Sequence, residues 1–117
     1  MEELFEISLL LDFYGQLITR RQYEVLDLHY NSDYSLGEIA QNLNISRQGV
    51  YDNIKRGRAA LAEMEQKLGL VGRFMEQKKR AGRILELLDG IDSSGLGEKD
   101  AGSMADAIRA VRGIMEE

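Results

Sequence analysis

The chain has 117 residues, no cysteine, no proline and a formal net charge of −5, with an isoelectric point of about 5.0. That length suits one domain with a single sizeable core. Without cysteine there is neither a disulfide framework nor a thiolate metal site, and the opening MEELFEIS lacks the basic, apolar, small-residue plan of a secretory signal. The longest apolar run is LLL at 9–11, far short of the ~20 residues needed to span a bilayer. Membrane insertion is excluded and a cytoplasmic protein is expected.

Charge is uneven. Residues 1–16 carry four acids and no base, residues 17–88 twelve bases against nine acids, and residues 89–117 seven acids against three bases. Strong non-specific binding to phosphate needs a larger basic surplus.

Apolar residues recur at spacings of three and four with little alternation, which predicts an all-α chain. In the N-terminal segment Glu2 and Glu3 suit a first helical turn, Leu4, Ile7, Leu11 and Tyr14 share a helical spacing, and Gly15 supplies a stop. Thr19 with Gln22 three residues on forms a capping box, with Ile18 and Tyr23 placed as a hydrophobic staple, so a helix starts near Arg20. The same grammar recurs at Ser35 with Glu38, flanked by Tyr34 and Ile39, and in part at Ser46, where Ile45 faces Val50. Between these last two starts Asn44 stands where a tight turn needs positive φ, which Asn tolerates. The result is a helix-turn-helix.

Past Ser46 the stripe Val50, Ile54, Gly57, Leu61, Met64, Leu68 holds one helix face for longer than a recognition helix requires. Leu61, Met64 and Leu68 must find apolar cover, with the next helix as the nearest candidate. Gly69 offers a left-handed stop, and Val71, Phe74 or Met75, Ala81, Leu85 and Leu88 predict a second long helix over 71–89. The glycine-rich stretch that follows reads as a flexible link, and a short helix from Ser103 presents Met104, Ile108, Val111 and Met115 on one side. The expected organisation is a helix-turn-helix core at 1–68, a helical arm at 69–89, a link at 90–102 and a C-terminal helix at 103–117.

Catalytic, cofactor and metal sites are not expected. His29 is the one histidine, and without nearby cysteine or a set of acids at ligand spacing it reads as structural. Asp12, Glu24 and Asp27 could be recruited as a carboxylate set, but Glu24 and Asp27, on one helix, read as facing solvent. The glycines at 95, 97 and 102 are followed by no lysine-serine or lysine-threonine pair, so they make no phosphate loop.

With Val50 and Ile54 turned to the core, Gln48, Tyr51, Asp52 and Lys55 face outward and Arg47 stands at the helix start. Gln suits adenine and Arg guanine in a major groove, while Lys55, Arg56 and Arg58 suit phosphates. Asp52 suits cytosine but repels the backbone. These seven residues are the candidate nucleic-acid contacts, and a solvated charged face is the alternative.

The run LITRRQYEVLDLHYNSDYSLGEIAQNLNISRQGVYDNIKRGRAAL resembles sigma-factor region 4 and, more closely, the YlxM family. The pattern is carried by Thr19, Arg21, Gln22, Leu26, Tyr30, Asp33, Ser35, Leu36, Glu38, Ile39, Ala40, Ser46, Arg47, Gln48, Val50, Asp52, Ile54, Lys55 and Arg56. The resemblance covers about residues 17–75 and implies a small helix-turn-helix protein in an accessory or regulatory role in the signal recognition particle pathway, touching the particle's protein or its RNA. The alternative is a sequence-specific DNA-binding transcriptional regulator. Apolar side chains on more than one face of the arm (Val71, Phe74, Met75, Ile84, Leu85) lead to a further expectation, a homodimer, against which stands the C-terminal helix folding back over that surface.

Overall fold

The computed structural model describes residues 3–116, with side chains from Phe5 onward. Glu2, and the side chains of Glu3 and Leu4, lie outside the described residues. All regular structure among them is helical. Helix α1 (Glu3–Tyr14) ends in a 3-10 turn (Gly15–Leu17), and α2 spans Arg20–Leu26. Its cap is reciprocal: the Gln22 N–H donates to Thr19 Oγ1 at 3.1 Å, and the Thr19 N–H donates to Gln22 Oε1 at 3.2 Å. Helix α2 then widens into a π turn, Asp27–Asn31, closed by the Ser32 N–H on the Asp27 carbonyl at 3.2 Å.

Helix α3 (Leu36–Leu43) opens on the second capping box, in which the Glu38 N–H donates to Ser35 Oγ and the Ser35 N–H to Glu38 Oε1. Asn44 ends it at φ 55°, the left-handed position expected of the turn, and the Ile45 N–H reaches back to the Ala40 carbonyl at 3.0 Å. Helix α4 (Arg47–Leu68) starts with Ser46 Oγ accepting from the Gly49 N–H, and stops at Gly69, φ 63°.

The helix-turn-helix core forms around Val25, Ile39 and Val50, all fully buried, with Leu28, Tyr34, Leu36, Leu43, Ile45 and Ile54 packed about them. Helix α2 crosses α4 at Gly57, where a Cβ would lie 2.7 Å from Leu26 Cδ1. One turn further on, Leu61 is completely buried. Its cover lies inside the unit that ends at Val71, where α1 lies along α4 and turns Ile7, Leu10, Leu11 and Tyr14 inward. The following helix is the cover expected from the sequence, whereas α1 and α2 are found packed closely along α4.

Tyr14 closes this unit. Its hydroxyl donates to Glu65 Oε1 at 2.6 Å and accepts from the Leu70 N–H at 3.0 Å, while Glu65 Oε1 also accepts from the Val71 N–H. Two of the orphan amides at the start of α5 (Leu70–Asp89) are thus satisfied by side chains from α1 and α4. Burial, and next the Glu65 hydrogen bond, push the Tyr14 phenol above its ordinary value, so it stays a neutral donor.

A second unit begins at Gly72 and holds most of α5 together with α6 (Glu98–Glu116). The two helices run antiparallel. Lys78 Nζ donates to the Met115 carbonyl at 2.9 Å, and Arg112 comes within 4.0 Å of Asp89. Met104, Ile108 and Val111 are half-buried along α6, as are Phe74, Leu85 and Leu88 along α5, with Ala81 buried between them. The first unit thus ends at Val71, three residues past the expected 68, and α6 starts at Glu98, five before the expected Ser103. Glu98 and Asp100 occupy its first turn, where acids favour the positive end of the helix, and Gly102 is tolerated inside at a cost of about 1 kcal/mol.

Candidate nucleic-acid interface

Val50 and Ile54 root α4 in the core and decide which side chains leave it. Arg47, Gln48, Tyr51, Lys55, Arg56 and Arg58 are exposed, and Asp52 is half-buried. At about 100° per residue they divide into three groups. Gln48, Asp52 and Lys55 form the outer crest, opposite Val50. Arg47, Tyr51 and Arg58 lie along the flank next to Ile54, and Arg56 stands alone on the other flank.

On the crest, Gln48 Nε2 donates to Asp52 Oδ1 at 3.0 Å. Asp52, read from sequence as a contact that repels the backbone, therefore holds the Gln48 amide in one orientation. On the flank, Tyr51, Ile54, Lys55 and Arg58 line a shallow cleft, and the Arg58 guanidinium stands 5.9 Å from the centroid of the Tyr30 ring, an attractive cation–π distance. Arg47 lies over the start of α3, close enough to Gly37 that a Cβ there would meet its guanidinium at 3.0 Å. Arg47 also borders the groove lined by Ser35, Glu38, Gln41 and Asn44. Structure thus gathers five of the seven residues into two adjoining surfaces and leaves Arg47 at one end and Arg56 apart.

Residues 47–58 hold four bases and one acid within a chain of net charge −5, so the first half of α4 is locally positive. At its edge the Ser35 N–H, and then its hydroxyl, hold the Glu38 carboxyl below its ordinary range. Sequence reasoning missed Tyr30 as the platform for Arg58. Tyr30 carries part of the family pattern, but the contact joins residues 28 positions apart. His29 is structural: Nδ1 donates to the Tyr34 carbonyl at 2.8 Å and its ring meets Tyr30 edge-on at 4.9 Å.

A three-helix core that presents one polar, cation-bearing helix defines a helix-turn-helix protein. The family model described as "UPF0122: Putative helix-turn-helix protein, YlxM / p13 like" matches residues 1–96, and the chain belongs to that family. A UPF0122 protein of Acetivibrio thermocellus is 63% identical over 101 residues, 86% of each chain. Another, from Desulforamulus reducens, is 45% identical over 93 residues, 80% of each. The UPF0122 protein YlxM of Bacillus subtilis is 43% identical over 90 residues, 77% of this chain and 82% of that one. Among the described residues, no helix is long and apolar enough to cross a membrane.

Proposed function

We propose that this protein is a non-catalytic helix-turn-helix regulator of the cytoplasm that serves as an accessory to the signal recognition particle, binding the particle's RNA through α4. The observation that carries the nucleic-acid reading is the exposed cluster of Tyr51, Lys55 and Arg58 beside the Gln48–Asp52 pair. Tyr51 is 51% exposed with cations on either side, a combination suited to stacking on an unpaired base while phosphates are neutralised. The choice of particle follows from the family resemblance. A chain with this overall negative charge would bind weakly away from its target, which suits an accessory role.

The test is retention of purified particle RNA and of the particle protein, separately, on immobilised chain at low salt. RNA retention is expected, weakened at least tenfold by Tyr51→Ala with Lys55→Ala, with the salt slope reduced by about one for the lost phosphate contact. No retention of either component at micromolar concentration overturns the reading. The second reading, a transcriptional regulator, is favoured by the fixed Gln48 amide, since a preoriented Gln suits bidentate pairing with adenine. Enrichment of a motif from random duplexes, lost with Gln48→Ala, would support it.

A further inference from the structure

Helix α5 has two faces, and α6 covers one of them. On the opposite side Ile84, Leu87 and, in the turn that continues it, Ile91 are 47%, 56% and 49% exposed, at a 3-4 spacing that extends backward to Arg80. Such a strip is the seam of a helix pair. Its flanks carry opposite charge at opposite ends. Leaving aside Lys78 and Asp89, which engage α6, residues 73–83 hold four bases against one acid, and residues 84–92 hold two acids and no base.

We propose that this outer face of α5 is an interface for a second copy of the chain, docked antiparallel about a two-fold axis between Ile84 and Leu87. The charge pattern selects both occupant and direction. A helix that is basic at one end and acidic at the other complements its own copy only when reversed. Antiparallel pairing sets Ile84 against Leu87 of the second copy and places Arg83 near its Glu86, which share one flank of the strip. Parallel pairing would stack Lys79, Arg80 and Arg83 on their own equivalents. Arg83 and Glu86 already bond within the helix at 3.3 Å, so each has a partner before association and exchanges it on docking. The apolar strip is only about 10 Å long at 1.5 Å per residue, which places the pair among weak, concentration-dependent dimers.

Sedimentation equilibrium of the full chain from about 1 to 200 µM should show reversible dimerisation, weakened at least tenfold by Leu87→Glu. Leu87 is exposed, so circular dichroism of that variant should match the parent. The absence of native cysteine allows a direct readout of direction: under mild oxidation, mixed Ile84→Cys and Leu87→Cys chains should cross-link to each other faster than either links to itself. A chain that stays monomeric across the range, or a dimer indifferent to Leu87→Glu, overturns the interface. Preferential linking of Ile84→Cys to itself overturns the antiparallel arrangement.

Discussion

Gly57 decides how closely two helices approach. Its missing side chain lets Leu26, which is completely buried, rest on the α4 backbone. Gly57→Ala would gain about 1 kcal/mol of helix propensity and lose about 1–3 kcal/mol to overpacking, since the new methyl meets Leu26 Cδ1 at 2.7 Å and Gln22 Cβ at 3.4 Å. A net loss in the denaturant midpoint is expected, whereas the same change at an exposed helical glycine should stabilise. Glu38 makes a pH-dependent contribution. Its carboxyl is held below its ordinary value by Ser35, so the folded state binds that proton less tightly than the unfolded chain. The stabilisation is complete above the ordinary carboxylate pKa and is lost as pH falls through the lower folded value. Glu38→Gln should flatten this part of the acid limb, read as melting temperature against pH between about 5 and 2.

Along α4, one stripe of apolar residues serves two different ends. Leu61 is fully enclosed while Leu68, seven residues on, is 48% exposed. Leu61→Ala should cost about 2–5 kcal/mol and Leu68→Ala well under 1 kcal/mol, compared by urea denaturation of the two variants. A Leu61 variant that melts like the parent would mean that this face of α4 is not enclosed. The contrast also marks how far the sequence could be read. Both capping boxes, the left-handed Asn44 and the stop at Gly69 depend on neighbours within a few positions, and they were legible. So was the outward set on α4, because the core positions Val50 and Ile54 fix the phase of the helix. The π turn at Asp27–Asn31 and the positive φ of Asp33, 58°, have no such local signature. The pairing of Gln48 with Asp52 has the ordinary spacing of one helical turn and was local enough to read, but was missed. Tyr14 and Glu65 are 51 positions apart, and only the course of the chain between them brings them together.

At the scale of the whole molecule, the chain is two units, one ending at Val71 and one beginning at Gly72. Each has its own way of shielding apolar surface, so they should fail separately. A chain ended at Asp89 removes α6 and uncovers Ala81, Leu85 and Leu88 on the inner face of α5. Stronger self-association than in the full chain is expected by light scattering, while the helix-turn-helix unit keeps its near-ultraviolet tyrosine signal. Loss of that signal would show that the first unit depends on the second. The Tyr14 hydroxyl has a consequence in time as well as in space. The Leu70 and Val71 amides are bonded to side chains rather than to helix carbonyls, so their exchange with deuterium is gated by the opening of this one junction. In the parent both should exchange far more slowly than the amides of a frayed helix start, and in Tyr14→Phe Leu70 should speed up most, with the interior of α4 unchanged. Two backbone protons would then serve as a clock for the joint, ticking whenever the hydroxyl lets go.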